Sequence, residues 1–242
     1  MTTDTEVVTP PAEKASRWED FIDIVFSPAQ VFARRGNEGW LKPFLILAVV
    51  NVALYYLLLP VTGPTIEAAM RENAPPNVTP AQLQQGAQMM KIGMGIIAPI
   101  MYLIMVLGTG VALKFVAALF DGKPTWGQSF AITTHAHFIT VIQGLVAAAS
   151  IFILDMLGKP ASGKNASFGL LRFMDIGNDP VMRALLGRTD LFAIWIAALF
   201  GVGLITVARM EKTKAFITAA IVWALIALPS LAMAALSGRG GN

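Results

Sequence analysis

Five stretches of the chain are apolar over about the length that a helix needs to cross a membrane. They run approximately from Leu41 to Leu59, Ile92 to Leu113, Ser129 to Leu154, Leu191 to Val207 and Phe216 to Leu236. A span takes about 20 predominantly apolar residues to cross roughly 30 Å of hydrocarbon. Lipid offers no partner to a backbone N–H or C=O, so each stretch must satisfy its own polar groups and is expected to be helical. The fold class that follows is all-α, a polytopic membrane bundle of five transmembrane helices occupying residues 41–236.

Composition supports the same class. Hydrophobic residues make up 55% of the chain and charged residues 14%, against about 25% charged in an ordinary soluble domain. Mean hydropathy is +0.63. These values exclude a disordered chain and argue against a soluble enzyme. The 18 basic and 15 acidic residues leave a net charge of +3, so no nucleic-acid surface is expected. There is no cysteine, hence no disulfide, thiolate metal site or thiol nucleophile. Residues 1–16 are polar and acidic and contain Pro10 and Pro11. They lack the basic start and apolar core of a secretory signal and are expected to form a disordered tail. Residues 237–242 form a C-terminal tail.

The connections differ. Residues 60–91 read as a long polar loop, 114–126 as a short link, 155–190 as the longest connection and 208–215 as a tight turn. No internal repeat of the kind many transporters carry is evident. The placement of Lys and Arg favours a cytoplasmic N-terminus and an external C-terminus, with denser charge on the shorter inner connections.

Residues 17–40 form a distinct element. Trp18, Phe21, Ile22 and Val25 recur at helical spacing, with Glu19, Asp20 and Asp23 between them. Ser27 and Pro28 then restart the chain, with Gln30 placed to complete a capping box. Val31 and Phe32 supply an apolar face, Arg34 and Arg35 suit a helix C-terminus, and Gly36 suits a stop. Two short amphipathic helices at the cytoplasmic membrane surface are predicted. They either pack under the spans or offer a docking face.

Several of these residues carry a family resemblance. Phe26-Ser27-Pro28 through Val31-Phe32, then Trp40 and Pro43, resembles the start of the YIP family, the Ypt-interacting-protein-like five-span membrane proteins. Gly122-Lys123-Pro124-Thr125-Trp126 leads into span three in the same way. Asp190-Leu191-Phe192-Ala193-Ile194-Trp195, then Gly203, Arg209, Lys214-Ala215 and Trp223, extends the likeness over most of residues 26–236. The variant is similar to the prokaryotic branch. The resemblance implies a cytoplasmic N-terminus, five helices and no known catalysis. Eukaryotic relatives are associated with small GTPases of vesicle traffic, but their Asp-Leu-Tyr-Gly-Pro motif is absent here, so that partner does not carry over. The family's aromatic-small-x-x-Pro pattern in span three is replaced by Thr133-Thr134-His135-Ala136-His137-Phe138.

Span three is the most polar of the five. Thr133, His137, Thr140 and Gly144 share one helical face. Polar groups in a membrane face the bundle interior. Here they serve either as interhelical hydrogen bonds of roughly 0.6–2 kcal/mol each or as a proton or substrate path, since histidine titrates near neutral pH. His135 lies off that face, and a His pair at i, i+2 does not suit a helical metal site. Asn51, in the middle of span one, is expected to bond across to another helix. Gly93, Gly95, Gly108, Gly110 and Pro99 in span two suit close packing and a kink. The dinucleotide-like letters from Gly93 follow no strand. Gly158 to Lys164 approaches a phosphate loop but has Asn165 where Ser or Thr would hold magnesium. Asp179-Pro180 is a candidate start for an interfacial helix, and Asp190 a candidate N-cap of span four.

No catalytic, cofactor-binding or metal residues are assigned, and an enzyme is not expected. The candidate intramembrane polar site is Asn51, Thr133, His137 and Thr140. The candidate partner or lipid surface is Trp18, Phe21, Phe32, Arg34, Arg35, Lys123, Arg209, Lys212 and Lys214. Expected partners are membrane lipids and a protein of unknown identity, and a homo-oligomer is open. The leading expectation is an accessory, assembly or membrane-organising protein of a bacterial inner membrane. The alternative is a transporter or channel subunit with a path through spans one to three.

Overall fold

The computed structural model describes residues 16–72, 74–75, 77–158, 168–174, 177 and 179–239. The expectations for residues 1–15 and for the phosphate-loop lookalike from Lys159 to Lys164 lie outside them. Two short helices come first, α1 (Asp20–Phe26) and α2 (Pro28–Arg35). They precede α3 (Leu41–Glu72) and α4 (Pro80–Ala118). Span three is divided into α5 (Trp126–Ala136) and α6 (Ile139–Met156). A short α7 (Pro180–Leu186) lies before α8 (Leu191–Ala208). Span five is divided into α9 (Lys212–Leu225) and α10 (Leu228–Arg239). Five helical segments are long and apolar enough to cross a membrane.

Three expectations about the spans are corrected. The polar loop from Pro60 to Lys91 is mostly helix, because α3 continues through Pro60 and Pro64 to Glu72 and α4 begins at Pro80. At 1.5 Å per residue the 32-residue α3 is about 48 Å long and the 39-residue α4 about 58 Å. Both exceed the roughly 40–45 Å of a whole bilayer, so they overhang as a helical hairpin. Thr79 and Gln82 start α4 with a capping box that the sequence reading placed in a loop.

Span three breaks at His137 and Phe138 with no proline or glycine there. Four side chains take carbonyls on their own helix. Thr133 Oγ1 donates to Ser129 O (2.9 Å), His135 Nδ1 lies 2.8 Å from Ala131 O, His137 Nδ1 lies 2.7 Å from Thr133 O, and Thr140 Oγ1 donates to His137 O (2.7 Å). Side chains that bond back to the preceding turn compete with the helix ladder and bend it. The amide of Phe138 accordingly bonds His135 O, one residue short of the α pattern. Span five breaks before Pro229, and Arg188 Nη2 donates to the Ile226 carbonyl (3.1 Å) and to Ser230 Oγ (3.1 Å).

The best-buried core lies toward the end of the bundle that carries α1 and α2. Phe32, Leu113, Ile132, Ile139, Phe200 and Leu204 are at most 1% exposed. There α8 packs on α9, α5 and α2, and α4 packs on α5 and α9. Close approach needs small residues. A Cβ on Gly203 would lie 2.6 Å from Ile132 Cγ2, and one on Gly110 would collide with the Phe130 ring. The close packing expected of span two thus occurs at Gly110 and Gly95, whereas nothing lies against Gly93 or Gly108.

Candidate functional site

The charged segment from Arg17 to Glu38 is folded onto itself. Asp20, 1% exposed, accepts from Arg34 Nη2 (2.9 Å) and Arg35 Nε (2.8 Å). Arg34 also reaches Asp23 (2.6 Å), and Glu38 accepts from Arg17 (2.7 Å) and Arg35 (3.0 Å). Burial pushes the Glu38 carboxyl up, but the hydrogen bonds and charges of Arg35 and Arg17 outweigh it and hold the group below its ordinary value. The Ser27 capping box does not form. Ser27 makes no side-chain cap, and only its carbonyl receives the Gln30 amide (3.0 Å).

The expected docking residues therefore divide. Phe32 is buried, and Arg34 and Arg35 are held in the ion-pair network. Phe21 is half-buried, stacked on Phe138 with centroids 4.1 Å apart. Trp18, Lys123, Arg209 and Lys212 are exposed. Lys214 bonds Asp121 (2.6 Å), and this holds the Asp121 carboxyl below its usual range. An outward stripe that the sequence pattern did not separate begins just before α1 and runs along it, with Trp18, Ile22 and Phe26 64%, 62% and 80% exposed. Their i, i+4, i+8 spacing is the signal. Phe21 and Val25, which the pattern grouped with Trp18 and Ile22, pack on the core instead.

Three segments distant in sequence meet at this end. Gln128 Nε2 donates to Asn37 Oδ1 (2.8 Å), the Met210 side chain lies on Gly122, and Val207 lies against Gly36. Arg209 adopts φ +53°, a left-handed backbone that turns the chain from α8 into α9. Lys114 Nζ donates to Pro124 O (2.8 Å) and lies 5.1 Å from the Trp126 ring centre.

The polar residues of span three are brought together, though not as expected. Thr133 and His137 are buried and Thr140 is half-buried; each bonds its own helix, and Thr140 also meets the Tyr102 hydroxyl of α4. Asn51 likewise donates to Leu47 O on its own helix (2.9 Å) instead of reaching across. The cross-helix contacts come from Tyr102, whose hydroxyl is 3.4 Å from His137 O and whose ring meets the His137 ring edge-on. His135 Nε2 and Thr134 Oγ1 are buried without a partner among the described residues.

A cleft of about 520 Å³ opens between α3, α4 and α6. Asn51, Pro99 and Thr140 line it, with Tyr55 and Tyr102 as its other main polar groups; His137 does not line it. At the far end of the bundle Asp190 caps α8 as expected, accepting the Phe192 amide (3.0 Å), and also ties down the Phe168 amide (3.0 Å). Asp179 caps α7. Among the described residues no cluster of three His, Asp or Glu is placed to hold a metal.

All-helical architecture and five membrane-length apolar helices define an integral multi-pass membrane protein. The chain belongs to the Yip1 domain family, whose model matches residues 22–233 and bears out the resemblance seen in the sequence. Comparison with curated proteins and with solved structures gave no match.

Proposed function

We propose that the protein is a non-catalytic accessory or assembly component of a bacterial inner membrane, of the prokaryotic branch of its family, docking a protein partner through its cytoplasmic face. The convergence of the α1–α2 hairpin, the 121–126 link and the 209–214 turn on one end of the bundle supports this reading. The contact set is narrower than the sequence suggested. It comprises the Trp18–Ile22–Phe26 stripe, which suits the lipid boundary, and the exposed cations Lys123, Arg209 and Lys212.

The test is purification in mild detergent with mass spectrometry of what accompanies the protein. The triple variant Lys123→Glu, Arg209→Glu, Lys212→Glu is expected to lose a stoichiometric partner while eluting like wild type. Retention of every partner by that variant would overturn the docking face. The transport reading is favoured by the cleft alone, which passes Asn51, Pro99 and Thr140. It requires flux in proteoliposomes that filling the cleft abolishes.

A further inference from the structure

The cleft between α3, α4 and α6 is long and almost wholly apolar. Its walls are apolar side chains such as Val52, Leu58, Met94 and Ala98, and it runs along α3 from Ala48 to Thr62. That interval is about 21 Å at helical rise, longer than the roughly 15 Å that one leaflet contributes to the hydrocarbon layer. Its volume of about 520 Å³ lies within the range of small-molecule sites, roughly 300–1,000 Å³. A long apolar recess of this volume, on helices of membrane-spanning length, suits a single acyl chain.

At the Thr62 end the character changes. Lys91 Nζ lies against Gly63 and donates to Glu67 Oε1 (2.6 Å). Tyr55 donates to the Lys91 carbonyl (2.9 Å) and Tyr56 to the Ile92 carbonyl (3.2 Å), which pins this stretch of α4 against α3. Beyond it, Glu67, Met70, Arg71, Leu83, Gln84 and Ala87 line a second pocket of about 440 Å³ between the overhanging ends of α3 and α4. Lys91 stands between the two recesses, beside Gly63 next to Thr62 of the cleft and bonded to Glu67 of the second pocket. Lys91 and Arg71 against Glu67 leave one net positive charge there. Arg71 is 73% exposed and 3.8 Å from Glu67 Oε2, an exposed pair that holds the guanidinium weakly. A guanidinium beside an ammonium is a phosphate-binding arrangement.

We propose that cleft and pocket together form one binding site for an anionic glycerophospholipid, with an acyl chain in the cleft and the phosphate held by Lys91 and Arg71. Glu67 then releases part of its hold on both cations to the phosphate. The site is independent of the docking face, which lies at the opposite end of the bundle. It uses the same recess as the transport reading but requires no flux.

The test is native mass spectrometry of the full chain, stripped of co-purified lipid and offered palmitoyl-oleoyl phosphatidylglycerol or phosphatidylcholine. Wild type is expected to retain one phosphatidylglycerol about tenfold more tightly than phosphatidylcholine. Ala147→Phe, which fills the cleft, is expected to lose it. Lys91→Gln with Arg71→Gln is expected to erase the preference for the anionic head. Equal retention of the two lipids by wild type, or undiminished retention by a well-folded Ala147→Phe, would overturn the site. A readout independent of any variant uses wild type in nanodiscs with a phosphatidylglycerol carrying a diazirine on its acyl chain. Cross-links concentrated on α3, α4 and α6 residues of the cleft support the site, and cross-links spread evenly over the lipid-facing surface overturn it.

Discussion

Asp20 anchors the amphipathic hairpin through two guanidinium groups. Removing one partner of a buried pair leaves the other charge uncompensated, at about 3–5 kcal/mol. Because Arg34 and Arg35 keep some contact with water, Asp20→Asn is expected at the lower end, about 3 kcal/mol, measured by thermal unfolding in detergent. A loss below about 1 kcal/mol would mean that the arginines find water instead. Gly203 shows the other constraint at this scale. Its missing Cβ admits Ile132, a fully buried β-branched side chain with little room to turn. Gly203→Ala is expected to destabilise by about 1–3 kcal/mol, whereas Gly93→Ala, in open space, is expected to stabilise slightly. Sequence periodicity could place Asp20 among apolar neighbours. It could not show that α2 sets two arginines opposite it, because a helical wheel fixes an angle and not what faces it.

Elements in this bundle are interrupted where side chains or proline disturb the ladder, not wherever a breaker stands in the sequence. Pro60, Pro64 and Pro99 remain inside helices, while His137 and Phe138 mark a break. The proline removes one hydrogen bond, and the surrounding membrane still favours the helix on both sides. In span three, several bonded side chains act on consecutive turns. The connector between α2 and α3 is held by Glu38, whose depressed carboxyl gives a pH dependence of known sign. Its contribution is fully present above the unfolded value and is lost as pH falls through the lower folded value. The melting temperature of wild type is therefore expected to hold down to about pH 5 and then fall. Glu38→Gln is expected to start lower and fall less steeply, and parallel curves would show that the clamp contributes nothing.

For the whole molecule, five membrane-length helices predict chain termini on opposite sides of the membrane. A reporter fused after Asn242 is expected to be active outside the cytoplasm, with an N-terminal reporter active inside; matching compartments would overturn the five-span topology. The expected cytoplasmic face assembles from three separate segments, and the cleft between α3, α4 and α6 runs toward the other end. Span number, helical state, the Asp190 and Asp179 caps and the amphipathic pair were all legible in the sequence. Each follows from local physics, in which apolar length, helical spacing and capping chemistry act within about a dozen residues. The ion-pair network around Asp20 and the cleft between α3, α4 and α6 were decided only by the tertiary structure. Each depends on which surfaces of distant helices meet, and no local pattern in a uniformly apolar chain distinguishes one such meeting from another.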